Sequence, residues 1–149
     1  MVQLLKFVSL LAATVSATQI TWDPAYSRNT AITFGQIACS DGANGLATKY
    51  KLPIGTPLYQ GLAPHLKDNV YFGGASEITG WNHPSCGKCF RLKYRSTGKQ
   101  ILFVGLDVAP AGANLGPDAF SGVSPTGNTD PGRLEVIVYE QKHEDCFKD

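Results

Sequence analysis

Four cysteines, Cys39, Cys86, Cys89 and Cys146, follow an apolar N-terminal leader, and that combination limits the fold more than any other feature of the 149-residue chain. An even cysteine count behind an export signal reads as a framework of structural disulfides. The leader has its three parts in order: a basic Lys6, an apolar run from Phe7 to Val15, and a small-residue exit at Val15-Ser16-Ala17. Its apolar run is shorter than the roughly 20 residues a membrane span needs. Cleavage is expected after Ala17, which divides the chain into a signal peptide over 1–17 and one domain over 18–149. No later segment is apolar enough to anchor the product, so it is expected outside the cell, free or in the wall.

Four cysteines allow three pairings, and the residues alone do not choose among them. The spacing Cys86-Gly87-Lys88-Cys89 also admits a redox or a zinc reading. A thioredoxin-like pair opens a helix, but here Phe90-Arg91-Leu92-Lys93-Tyr94 follows and alternates as a strand does. Zinc needs two further ligands at metal spacing, and His65, His83 and His143 are scattered. No metal and no cofactor is therefore expected.

Lys6 is the only charged residue of the leader, so the mature chain carries 12 basic and 12 acidic side chains. A neutral domain lacks the basic surplus that draws proteins to nucleic acid or an anionic membrane. An uncharged polysaccharide fits better. The pattern is β-rich: strands are expected over 19–22, 32–39, 90–94, 101–106 and 134–139, with 90–94 and 101–106 joined as a hairpin across Ser96-Thr97-Gly98-Lys99. Pro117-Asp118-Ala119-Phe120 reads as a short helical turn. Short strands separated by Gly, Pro and Asn favour a small closed barrel.

Several segments, in this order, resemble one family. They are Trp22-Asp23-Pro24-Ala25-Tyr26, Ile37-Ala38-Cys39-Ser40-Asp41-Gly42, Asn44-Gly45-Leu46, Gly80-Trp81-Asn82-His83-Pro84-Ser85-Cys86-Gly87-Lys88-Cys89, Val104-Gly105-Leu106-Asp107, Gly132-Arg133 and Cys146. Together they are similar to the cerato-platanin family of secreted fungal proteins. The resemblance implies an all-β fold with short helical turns: a six-stranded double-psi β-barrel, expansin- and barwin-like, with disulfides Cys39–Cys86 and Cys89–Cys146. It implies a non-catalytic wall or effector protein that binds chitin or N-acetylglucosamine oligomers, with cellulose as an alternative ligand. Loosening of polysaccharide networks, eliciting of plant defence, a plant surface receptor as partner and a monomeric state are further implications. Three departures stand out. Pro57 to Val70 is longer than the family's usual loop and reads as a surface insertion, or else as a cover over a groove. Asn82 replaces a common Asp, and Lys142 to Asp149 reads as a charged, solvated tail.

The candidate carbohydrate-binding residues are Asp107, Ser40, Asp41, Asn44, Asn82, Asn114 and Tyr26. Asp107 follows a strand at the position where related barrels face their polysaccharide with an acid; the alternative is a turn-capping role. Glycoside hydrolysis of the common kind needs two carboxylates about 5–10 Å apart, and only Asp107 can be placed. No catalytic residue is assigned, and a weak polysaccharide-cleaving enzyme using Asp107 alone is the alternative. Ser40, Asp41 and Asn44 serve equally as turn formers. Trp22 and Trp81 are possible platforms, but Trp81 adjoins a disulfide and is expected in the core.

Overall fold

The computed structural model describes residues 17–149. The expected leader lies outside them except for Ala17. Six strands close into a barrel: β1 (Thr18–Trp22), β2 (Val70–Ala75), β3 (Cys89–Lys93), β4 (Gln100–Val108), β5 (Ala113–Leu115) and β6 (Arg133–Glu140). Around the barrel the order is β1-β5-β2-β4-β3-β6. The pairs β1/β5 and β2/β4 are parallel. The other four are antiparallel, including β6 against β1, which closes the ring and leaves no long edge to aggregate. This is the double-psi barrel that the resemblance implied.

Alternation explains the clearest strands. Along β6, Leu134 and Val136 are buried while Arg133 and Glu135 face out. The hairpin β3–β4 forms as expected, with Phe90 opposite Phe103 and Leu92 opposite Ile101. The Phe90 and Phe103 rings stack at 5.2 Å in the barrel interior. Four short helices surround it: α1 (Leu46–Lys49), α2 (Leu58–Leu62), α3 (Pro117–Val123) and α4 (His143–Cys146). Helix α3 starts on its proline and buries Ala119, Phe120 and Val123, as the Pro-led pattern suggests.

Four expectations need correction. The run 32–39 is not a strand: Phe34–Gln36 forms a 3-10 turn closed by a reciprocal Thr33/Gln36 cap, and Phe34 drops into the core. The expected strand set is incomplete, because Ala113–Leu115 completes the barrel as β5. Pro57 to Val70 is not a surface insertion. Leu58 and Leu62 of α2 are fully buried and Leu66 nearly so, which makes the segment an extension of the core. The tail is solvated only in part: Lys142, His143, Glu144, Lys148 and Asp149 are exposed, but two residues are not. Cys146 and Phe147 are buried, held by the Cys89–Cys146 bridge and by the Lys67 N–H, which donates to the Cys146 carbonyl at 2.8 Å.

Both disulfides pair as the resemblance implied, Cys39–Cys86 and Cys89–Cys146, and no described cysteine is free. The first ties the loop after Ala38 to the segment carrying Trp81. The second ties β3 to α4.

Candidate functional site

Three half-buried polar positions and one buried glycine line up across adjacent strands. Thr21 on β1 is in register with Asn114 on β5, Asn114 with Gly74 on β2, and Gly74 with Asp107 on β4. Neighbouring strands lie about 4.8 Å apart, so the Asn114 and Asp107 backbones are separated by about 10 Å. The flanking residues Ala113, Leu115 and Leu106 are buried, and alternation turns Asn114 and Asp107 outward. Gly74 is covered by the chain at Val108 and Ala109: a Cβ there would come within 2.6 Å of the Val108 carbonyl oxygen, so only glycine fits. The Thr21 hydroxyl donates to Asn114 Oδ1 at 3.1 Å.

Asp107 is committed on both oxygens. Its Oδ1 accepts from the Ala38 N–H at 3.0 Å and from its neighbour Val108 N–H at 2.9 Å. Its Oδ2 accepts from the Tyr26 hydroxyl at 2.8 Å. Tyr26 is only 8 % exposed. Burial first, then the bond to Asp107, pushes its phenol far above the ordinary range, so it remains a donor at any physiological pH. Three donors thus converge on the Asp107 carboxylate and fix its orientation. Among the described residues no second carboxylate shares its bonds. The arrangement ties β4 to Ala38 and to Tyr26.

Ala38 carries the row onward. Its N–H goes to Asp107, and its carbonyl accepts from the Asn82 N–H at 3.2 Å. Asn82 sits at φ 58°, a conformation Asn tolerates. Its Oδ1 accepts from the Asn44 N–H at 2.8 Å, and its carbonyl accepts from Asn44 Nδ2 at 2.9 Å. Beside this clasp, Trp81 Nε1 donates to Asp41 Oδ1 at 2.8 Å, and Ser40 Oγ donates to the same atom at 3.2 Å. The indole N–H first, then the Ser40 hydroxyl, holds the Asp41 carboxyl below the usual carboxylate range. Gly42 lies beneath at φ +81°, where a Cβ would meet Asn82 Oδ1 at 2.7 Å and Trp81 Cζ2 at 2.9 Å. Only glycine lets the indole and the amide lie down on this loop.

Trp81 is therefore not in the core as expected; it is 61 % exposed. Its disulfide neighbour fixes the segment, but Asn82 turns the chain and Asp41 claims the indole N–H. Among the candidates, Asp107, Tyr26, Asn82, Asn44, Asp41 and Ser40 form one connected network through Ala38, and Asn114 joins it across Gly74. Ser40 is 7 % exposed and Tyr26 is buried, so both support the surface from below. Asn44, Asn82, Asn114 and the Trp81 ring form its outer side. Sequence reasoning missed Thr21, whose signal was its outward alternation beside buried Ile20. It also missed Arg133, which donates to Gln19 Oε1 at 2.8 Å.

Two depressions flank the strip. One of about 200 Å³ lies beside Asn114 and Thr21, walled by Pro110 and Arg133. A larger groove of about 480 Å³ starts at Asn44 and runs past Cys86 to Lys88 and Glu140. Lys88 bridges Glu140 at 3.3 Å and Glu77 at 3.6 Å. The bond to Glu140 leads the causes that raise its ammonium above its ordinary value. Among the described residues no group of three or more His, Cys, Asp or Glu is placed to hold a metal ion, and no helix is long and apolar enough to cross a membrane.

The family model described as Cerato-platanin matches residues 18–148. Cerato-platanin of Ceratocystis fimbriata f. sp. platani is 33 % identical over 138 residues, 92 % of either chain. Allergen Asp f 15 of Aspergillus fumigatus is 30 % identical over 127 residues, 85 % of this chain and 75 % of that one. The crystal structure of cerato-platanin 3 from M. perniciosa superposes with a TM-score of 0.70 at 34 % identity, covering 87 % of this chain and 98 % of the other. The solution structure described as the fungal elicitor Cerato-Platanin gives 0.64 at 30 % identity, covering 85 % and 94 %.

Proposed function

The chain belongs to the cerato-platanin family, and from that premise we propose that it is a secreted, non-catalytic protein that binds neutral N-acetylglucosamine oligomers on the strip from Trp81 to Asn114. One observation carries this reading. An exposed indole is pinned by its own N–H beside a row of amide and hydroxyl groups. A sugar ring presents an apolar face and a rim of hydroxyls. A fixed aromatic plane meets the first, and Asn44, Asn82, Asn114 and Thr21 meet the second. The ordering cost of such a surface falls on folding, not on binding. The acids along the strip, Asp41 and Asp107, are already engaged internally, which suits an uncharged ligand. Both oxygens of Asp107 are engaged in internal hydrogen bonds, and among the described residues no second carboxylate shares them, which favours a holding role over the weak polysaccharide-cleaving alternative. Since one relative is described as a fungal elicitor, a plant surface receptor is the second partner this reading carries.

The check is a titration with N-acetylglucosamine oligomers, followed residue by residue in NMR spectra. Shifts are expected at the Trp81 indole and at Asn44, Asn82 and Asn114. Trp81→Ala should weaken binding about tenfold, equivalent to roughly 1.4 kcal/mol of lost stacking. Release of new reducing ends, or shifts confined to another face, would sink the proposal. A parallel series with cellulose oligomers ranks the two polysaccharides.

A further inference from the structure

Away from the neutral strip, the extended segment 57–70 builds a second pocket around an arginine. Arg28 lies two residues beyond Tyr26, and its guanidinium carbon sits 4.9 Å from the Tyr71 ring centre and 5.6 Å from that of Tyr59. Both rings lie within cation–π distance of the group. Of the five N–H donors a guanidinium carries, one reaches an acceptor among the described residues, from Nη2 to the Val70 carbonyl at a long 3.5 Å. Nε is buried with no hydrogen-bond partner among them. Its nearest carboxylate, Asp118, stands 3.9 Å away, close enough to offset charge but too far to accept a hydrogen bond. A planar fork held in place with most of its donors unspent is the form that recognises carboxylates.

The fork opens on a pocket of about 340 Å³ lined by Arg28, Tyr59, Lys67, Asp68, Asn69 and Val70. Asn69 at φ 63° turns the chain sharply here, between exposed Lys67 and the start of β2. The site is separate from the strip: Val70 lies four residues, about 13 Å, along β2 from Gly74. Its helix α2 is anchored by Leu58 and Leu62 in the core, so its wall is rigid.

We propose that this pocket is a second binding site, specific for a carboxylated sugar, a hexuronate, distinct from the neutral strip. The uronate carboxylate takes the exposed Nη donors of Arg28 as a fork, Lys67 adds a second positive charge at the mouth, and the pyranose ring lies against Tyr59. The carboxylate chemistry follows from Arg28 alone; the choice of a sugar to carry it rests on the polysaccharide reading above. The chain would then hold neutral and acidic polysaccharides at once, on different faces.

The probe is galacturonate trimer, with N-acetylglucosamine trimer and sodium acetate as comparison ligands, titrated against isotope-labelled protein. Galacturonate trimer should shift the Arg28 Nε–H and the amides of Lys67, Asn69 and Val70, and leave Trp81 and Asn114 unmoved. Arg28→Gln should weaken that binding at least about tenfold, and Lys67→Gln roughly threefold, as suits an exposed charge. Raising salt to about 0.5 M should weaken the acidic ligand alone, because only its binding rests on charge. Should Arg28→Gln disturb the fold, Lys67→Gln on the exposed rim carries the test. Acidic-trimer shifts on the Trp81 strip, no shifts at all, or insensitivity to both variants would overturn the proposal. So would acetate binding as tightly as the trimer, since the sugar would then contribute nothing. The two readings fail separately: the neutral trimer reports on the strip and the acidic trimer on Arg28.

Discussion

Replacing Cys89 and Cys146 together by alanine will lower the unfolding free energy by about 4 kcal/mol. The bridge closes a loop across a sequence separation of 57. Chain-entropy arithmetic gives about 4 kcal/mol for a loop of that length, from fewer conformations in the unfolded chain. Domains of this size have net stabilities of roughly 5–15 kcal/mol, so the loss takes a large share. It should appear as a drop of about 10 °C or more in the melting temperature, with the slope of denaturant unfolding steepened by a more open unfolded state. Alanine is the right replacement, because Cys146 is fully buried and Cys89 nearly so, and a serine hydroxyl there adds a desolvation cost. The consequence is also local. Phe147 and the Tyr50–His65 stack, whose ring centres are 3.7 Å apart, pack around the tail that this bridge holds. Calorimetry of the oxidised wild type against the double variant decides it. A difference under about 1 kcal/mol would mean that packing alone holds α4 against the barrel. The Cys39–Cys86 bridge closes a comparable separation of 47. Its removal should cost similar stability and also loosen the loop that carries Asp41 from the segment that carries Trp81.

The strands legible in the sequence were those whose side chains alternate between core and solvent. In β6, Leu134 and Val136 point in while Glu135 points out, and in β3 and β4 the phenylalanines face each other. Of the strands that escaped notice, one does not alternate and the other is too short to show a pattern. β2 reads Val-Tyr-Phe-Gly-Gly-Ala and is buried along nearly its whole length, because neighbours cover both faces of its glycines. β5 is three residues long and exists only through pairing with β1 and β2, which a linear reading does not see. Leu58, Leu62 and Leu66 have helical spacing, but the surrounding prolines and glycines hid it. The site was half legible for a related reason. Turn-forming residues such as Asp41, Asn44 and Asn82 show where loops lie, not which way they face. That Trp81 lies outward depends on Gly42 and on an acceptor 40 positions away, and tertiary structure alone brings these together.

Removing the Asp107 side chain will cost about 3 kcal/mol, although the residue is only half-buried. Alanine there strips acceptors from the Ala38 N–H and from the Tyr26 hydroxyl, and each orphaned buried donor costs roughly 1–3 kcal/mol. Asp107→Asn should cost only about 1 kcal/mol, because the amide oxygen still accepts from Ala38 and Val108 while its NH₂ donates to the phenol oxygen. Tyr26→Phe should cost a similar amount, and the double variant with Asp107→Asn should show coupling, since both members share one bond. Alkaline pH adds an independent signature. The folded phenol of Tyr26 holds its proton more tightly than the unfolded one. Its contribution is therefore complete below the ordinary tyrosine value of about 10 and is lost as pH rises above it. Tyr26→Phe removes part of that alkaline loss; Tyr50, whose phenol burial also pushes upward, retains the rest. Asp107→Ala should shrink it without abolishing it, because burial is its largest single cause. Sugar binding then separates two roles for Asp107. If it holds Ala38, and through Ala38 the Asn82 turn, Asp107→Asn keeps oligosaccharide affinity within about twofold while Asp107→Ala loses it with the turn. If the carboxylate touches the sugar directly, Asp107→Asn loses binding with the fold intact. The three bonds already on that carboxylate favour the first outcome, and a loss of more than about tenfold in Asp107→Asn would reverse it.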